Sequence, residues 1–114
     1  KMTDSQGNLL EDFTPEVRSV IDVKDSTWNA VHTGMRRVIS DGSARKIFSD
    51  LEVDIAGKTG TAEVVGRGNN AWFVGFAPAD DPKIAICVLV EDAGTASSEA
   101  VPIAGEILDA YLDN

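Results

Sequence analysis

The sequence predicts a mixed α/β fold of the α+β kind, with antiparallel hairpin strands flanked by helices. Three observations predict it. Trp28, Val31, Met35, Val38 and Ile39 recur at helical spacing. Ala71–Ala77 and Ile84–Val90 are short apolar runs joined by the turn-forming stretch Pro78-Ala79-Asp80-Asp81-Pro82, the pattern of an antiparallel hairpin. Val101, Ile103, Ala104, Ile107, Leu108, Tyr111 and Leu112 form a second helical stripe near the end of the chain. At 114 residues this is at most one domain, with room for a modest core.

In order, residues 1–24 read as a connector or lead-in segment and residues 25–114 as the domain portion. Ser5-Gln6-Gly7-Asn8 is a turn by composition. Phe13-Thr14-Pro15-Glu16 with Val17, Val20, Ile21 and Val23 suits either a short helix or an extended connector. Asp25-Ser26-Thr27 is a helix start signal, because such side chains cap orphan N–H groups. The helix is expected over about 27–40, with Gly42 as its stop and Arg36 and Arg37 facing outward. Residues 41–52 are less regular. Val53–Val65 reads as the first strand, Gly66-Arg67-Gly68-Asn69-Asn70 as a loop and Ala71–Ala77 as the second strand. Ile84–Val90 is apolar at every position, which predicts a central strand covered on both faces. Ser97 or Ser98 is the expected cap of the last helix, and Pro102 suits its first turn. The order is helix, three strands, helix. Two helices cover one face of such a sheet, so the other face needs elements from elsewhere and the domain is expected to be incomplete. Lys1-Met2-Thr3 does not read as a natural start, and an upstream segment is expected to have been removed.

Composition excludes several functions. The net charge of −9 argues against a nucleic-acid partner, which needs clustered Lys and Arg. The acidic residues are scattered and read as a solvated surface. Cys87 is the one cysteine, so no internal disulfide forms; its apolar neighbours predict a small buried hydrophobe. No Cys/His cluster has metal-ligand spacing, and no cofactor is expected. No window approaches the roughly 18 apolar residues of a membrane span.

Ala56-Gly57-Lys58-Thr59-Gly60-Thr61-Ala62-Glu63 is the most informative stretch. Glycine weakens a strand unless another backbone or a ligand approaches closely there. Side chains alternate along a strand, so Thr59 and Thr61 share one face while Lys58 shares the other with Gly60. Two hydroxyls hold a carboxylate by hydrogen bonds, with the Lys58 ammonium nearby for electrostatic support. The Thr61 N–H suits a developing oxyanion, and Gly60 lets a substrate backbone lie beside the strand. The stretch is half an active site, because no convincing nucleophile accompanies it. His32 reads as a boundary residue of its helix. Trp72, Phe73 and Phe76 read as packing, with Trp72 near the rim of the motif. Glu63 and Arg67 read as solvated loop charges.

Lys58-Thr59-Gly60-Thr61-Ala62-Glu63 followed by Asn70-Ala71-Trp72-Phe73-Val74-Gly75-Phe76-Ala77-Pro78 resembles the C-terminal part of the penicillin-binding protein transpeptidase domain. Trp28-Asn29-Ala30-Val31-His32-Thr33-Gly34-Met35 through Val38 is similar to a helix of the class B members. The tripeptide alone is common; the joint pattern, over about residues 14–114, is specific.

The resemblance implies a partial β-lactamase/transpeptidase-like fold. It implies a serine acyltransferase acting on peptidoglycan stem peptides that end in D-Ala-D-Ala, with β-lactams as mimics of the substrate. A Ser-x-x-Lys serine attacks the peptide carbonyl and releases D-Ala; the acyl group then passes to an amine of a neighbouring peptide. Lys58 is implied in proton transfer and anion binding, and Thr59, Gly60 and Thr61 in substrate binding, with the Thr61 N–H as an oxyanion donor. The implied location is the extracytoplasmic face of the bacterial membrane, with an upstream transmembrane anchor. The implied partners are the stem peptide, β-lactams and the missing N-terminal half of the same domain.

The family needs three motifs and this chain supplies one. Ser43-Ala44-Arg45-Lys46 fits Ser-x-x-Lys by letter but is rejected as the nucleophile. It stands where the family places a loop, just before the Lys58 strand, and two fixed letters recur by chance. Ser-x-Asn does not occur. This segment alone is therefore expected to be inactive. The alternatives are a serine β-lactamase or β-lactam sensor, and a non-catalytic binding module.

Overall fold

The computed structural model describes residues 1–14 and 16–112. Pro15, part of the expected helix or connector, and residues 113–114, the end of the domain portion, lie outside the described residues. The elements run β1 (Met2–Thr3), β2 (Leu9–Glu11), α1 (Asp25–Ser40), α2 (Arg45–Phe48), β3 (Ala56–Ala62), β4 (Asn69–Ala77), β5 (Ile84–Ala93) and α3 (Ala100–Leu112). The mixed α/β class with antiparallel strands between helices is what forms.

Residues 5–8 make the expected turn, and it closes a small hairpin that the polar composition hides. The Asp4 carboxylate accepts N–H bonds from Gln6 and Asn8 at 2.9 Å and a third from the Asn8 side chain. The Asn8 side chain, with these backbone donors, holds the Asp4 carboxyl below its ordinary value. Residues 16–24 take neither helix nor strand, and Val17, Val20 and Ile21 are exposed.

Helix α1 begins two residues before the expected start. Asp25 lies inside its first turn, where a carboxylate complements the helix dipole, and Lys24 holds the capping position without a side-chain cap. The Lys24 carbonyl instead takes the N–H groups of Thr27 and Trp28. The helix ends at Ser40, as Gly42 predicted: a Cβ on Gly42 would stand 2.8 Å from the Val38 backbone, so only glycine lets the chain fold back there. Arg37 is exposed, but Arg36 is half-buried, which corrects its outward placement. Arg36 bridges Asp54, just ahead of β3, and Asp80, in the β4–β5 turn. Asp54 lies 2.9 Å from the Arg36 Nε but off the N–H axis, so this contact is an ion pair more than a hydrogen bond. The Asp80 hydrogen bond, aided by the Asp54 charge, raises the Arg36 pKa above its ordinary value.

The sheet order is β3-β4-β5, antiparallel throughout, with Lys58 opposite Val74, Gly60 opposite Trp72 and Val74 opposite Cys87. This corrects the central placement of the third strand: β4 is central and β5 is an outer strand among the described residues. Two successive hairpins put the middle strand in the middle, whatever the apolarity of the last one. The burial of β5 alternates accordingly. Val88 is buried, whereas Ala85, Cys87 and Leu89 are exposed, so Cys87 is not the buried hydrophobe expected from its neighbours.

The core lies on the other face. Ala71, Phe73 and Ala77 of β4 meet Val88, Ile55, Phe48 of α2, and Ala100, Val101, Ala104 and Leu108 of α3. The Phe48 and Phe73 rings sit 5.4 Å apart. The Phe73 ring lies across Gly57, where an added Cβ would come within 2.6 Å of it, so that glycine makes room for the ring. The expectation that both long helices cover one face holds in part. α2 and α3 pack on the Phe73 side, where Val38 and Ile39 from the end of α1 also join the core, whereas farther up α1 the His32 ring meets Phe76, on the opposite face, at 5.5 Å. α3 starts at Ala100, after the expected serine caps; Thr95, Ser97 and Ser98 form a hydroxyl-bonded turn just before it. No helix among the described residues is long and apolar enough to cross a membrane.

Candidate functional site

Strand β3 has β4 on one side and no strand on the other among the described residues. N–H and C=O groups of an antiparallel strand alternate between its two edges, so every second residue of β3 presents its backbone to the open side. The strand is shorter than the expected 53–65. Its lead-in is occupied elsewhere: the Asp54 carbonyl takes the Ala79 N–H at 2.7 Å and the Asp54 carboxylate faces Arg36. At its far end the chain turns through Gly66, whose φ of 80° is the left-handed conformation that glycine tolerates.

Lys58, Thr59, Gly60 and Thr61 sit in the middle of this open strand. Lys58 is exposed, and its ammonium donates to the Thr59 carbonyl. It lies on the Trp72–Val74 face with Gly60, as alternation requires. A Cβ at Gly60 would stand 3.4 Å from the Trp72 Cβ, an ordinary contact, so Trp72 does not demand glycine there.

Thr59 and Thr61 lie on the opposite face, and each hydroxyl has a partner within the chain. The Thr59 Oγ1 is 2.8 Å from the Ser43 Oγ, which comes from the α1–α2 turn. The Thr61 Oγ1 accepts the Ala96 N–H at 3.3 Å from the β5–α3 connection. Neither partner is visible by spacing in the sequence: Ser43 stands out only as the first residue of Ser43-Ala44-Arg45-Lys46, and Ala96 carries no signal. The Ser43 hydroxyl thus pairs with another hydroxyl, a group that is no base for its proton. The His32 ring is tilted against Trp28 at 6.2 Å and meets Phe76 edge-on at 5.5 Å, on the face of the sheet opposite these hydroxyls. Glu63 and Arg67 are exposed in the β3–β4 loop, and Trp72 is half-buried under the motif. Among the described residues no cluster of His, Cys, Asp and Glu is arranged to hold a metal ion.

The arrangement presents two hydroxyls on one face of a strand edge and an ammonium on the other. Residues 1–109 match the family model of the penicillin binding protein transpeptidase domain. The chain belongs to that family. The class B membership read from residues 28–38, 58–63 and 70–78 agrees with its relatives. It is 36% identical over 107 residues to the peptidoglycan D,D-transpeptidase MrdA of Haemophilus influenzae, covering 79% of this chain and 16% of that protein. Pseudomonas aeruginosa PBP2, solved in complex with WCK 5153, superposes with a TM-score of 0.75 at 37% identity, over 97% of this chain and 24% of that one. Penicillin-binding protein A of M. tuberculosis, solved as a ceftriaxone acyl-enzyme, superposes with a TM-score of 0.52 at 38% identity, over 57% of this chain and 17% of that one. This transpeptidase-family chain thus spans about a sixth of the length of the curated relatives it matches.

Proposed function

We propose that this chain is the C-terminal portion of a peptidoglycan D,D-transpeptidase that cross-links stem peptides through an acyl-serine intermediate and binds β-lactams. It contributes the Lys-Thr-Gly-Thr strand; the serine comes from the N-terminal half of the same domain, which packs against this segment. The serine oxygen forms an ester with the penultimate D-Ala carbonyl as the terminal D-Ala leaves with a proton. An amine of a neighbouring stem peptide then takes the acyl group and frees the serine. The enzyme works at the extracytoplasmic face of the bacterial membrane, held by an upstream transmembrane helix.

One observation carries this reading: Lys58, Thr59 and Thr61 stand at an open strand edge, in a chain of this family. On that edge Thr59 and Thr61 hold the substrate carboxylate, Gly60 admits the substrate backbone, the Thr61 N–H faces the oxyanion and Lys58 supports proton transfer and anion binding. The names of the relatives, a D,D-transpeptidase and an enzyme acylated by ceftriaxone, support the reaction class.

Labelling with a fluorescent penicillin tests it, on this segment and on the full-length protein that contains it. The expected result is a labelled full-length protein and an unlabelled segment. Labelling of neither would overturn the reading in favour of a binding module, and steady turnover of the penicillin would replace transpeptidation with hydrolysis.

A further inference from the structure

We propose that Ser43 is a positioning residue for the substrate carboxylate, acting through Thr59 by turning the Thr59 hydroxyl into an outward donor. The inference rests on the reading that Thr59 binds that carboxylate.

A hydroxyl has one proton to give and two lone pairs with which to accept. A carboxylate only accepts, so Thr59 must spend its proton on it. The 2.8 Å bond to Ser43 then survives only if Ser43 donates and Thr59 accepts. The proton order Ser43 to Thr59 to carboxylate keeps both bonds, and each polarises the next. The reverse order spends the Thr59 proton on Ser43 and leaves the carboxylate without it.

Thr61 shows the same logic in a form that cannot be reversed. Its oxygen takes the Ala96 N–H, and a backbone amide can only donate. The Thr61 proton is thereby free for another acceptor. Behind each threonine of the motif thus stands a donor, one a backbone amide and the other a serine side chain. Two hydroxyl protons held free on one face of one strand suit an anion with two oxygens.

Ser43 is also well held. Gly42 lies against the Val38 backbone, the Ala44 N–H bonds the Val38 carbonyl at 3.2 Å, and Ala44 is fully buried. The residues on either side of Ser43 are pinned, so its hydroxyl is presented by a fixed backbone and not by a mobile loop.

The test uses the full-length enzyme and acylation rate constants for a penicillin and for its carboxamide, whose ratio is the carboxylate preference. Ser43→Ala should lower that preference about fivefold, the worth of one ordinary hydrogen bond, while the carboxamide rate stays within twofold. Ser43→Thr, which keeps the hydroxyl, should restore it. In a Thr59→Val background, Ser43→Ala should have no further effect. If Thr59→Val lowers the preference and Ser43→Ala does not, the inference is wrong while the role of Thr59 stands. Equal loss with penicillin and carboxamide would mean a merely structural serine and would also overturn it. An unchanged preference in Thr59→Val itself would instead remove the reading of Thr59 on which the inference is built.

Discussion

On one face of strand β4, Ala71, Phe73 and Ala77 are completely buried under α2 and α3; on the other, Val74 stands 41% exposed beside Cys87 and Leu89 of β5. The two faces come from the same strands, and both carry apolar residues. What separates them is cover. α2 and α3 bring Phe48, Val101 and Leu108 to the first face, joined by Val38 and Ile39 of α1, whereas the second has the His32 ring of α1 against Phe76. Apolar residues in a strand therefore state a capacity for burial, and packing partners decide whether it is used. The open face and the free edges of β3 and β5 are where the remainder of a transpeptidase domain would add its own elements under the proposed function.

The contrast can be broken most directly by matched truncations. Phe73→Ala should destabilise the chain by about 3–5 kcal/mol in denaturant unfolding, because it empties the centre of the packed face. Val74→Ala, one residue along, should change stability by less than about 1 kcal/mol. Similar losses at both positions would mean that the open face is covered in solution, by self-association or otherwise. Next in size is Arg36→Ala. It removes the bridge from α1 to Asp54 and Asp80, the link between the helix and the start of the motif strand. The expected result is a drop in melting temperature well below that of Phe73→Ala, shrinking as salt is added, since the partners are exposed.

The smallest effect concerns the β1–β2 hairpin, which neither face covers. Asp4 has a folded pKa below its unfolded value, so the turn it organises is fully favoured above the ordinary carboxyl value of about 3.9. Order should fade as pH falls through the lower folded value. Titration of the Gln6 and Asn8 amide resonances should report this, with Asp4→Asn insensitive to the same change. An Asp4 carboxyl that titrates at its ordinary value would contradict the hydrogen-bonded turn.

The readable and unreadable parts of the sequence divide along the same line. Helical spacing placed α1 and α3, and the Pro78–Pro82 turn placed the β4–β5 hairpin, because these are local patterns. The alternation of Thr59, Gly60 and Thr61 likewise followed from strand geometry alone. The errors arose wherever a long-range partner decides. Ile84–Val90 looked central because it is apolar throughout, yet its place in the sheet depends on strands and not on side chains. Arg36 looked solvated because its partners lie far along the chain at Asp54 and Asp80. Helix α2 is a single turn, too short for periodicity to show, and β1 and β2 are shorter still. Within the site, the hydroxyls of the motif could be named from sequence, but their partners at Ser43 and Ala96 come from two separate connections that only folding brings to β3.

The central claim is that this segment carries the Lys58–Thr61 edge of a transpeptidase site whose nucleophile lies outside it. Peptide mapping of the full-length protein after reaction with a penicillin tests that most directly. The account predicts one acylated serine, followed three residues later by lysine and located outside these 114 residues. Acylation of Ser43 would contradict it, for it would make the turn serine a nucleophile and this segment a site complete in itself.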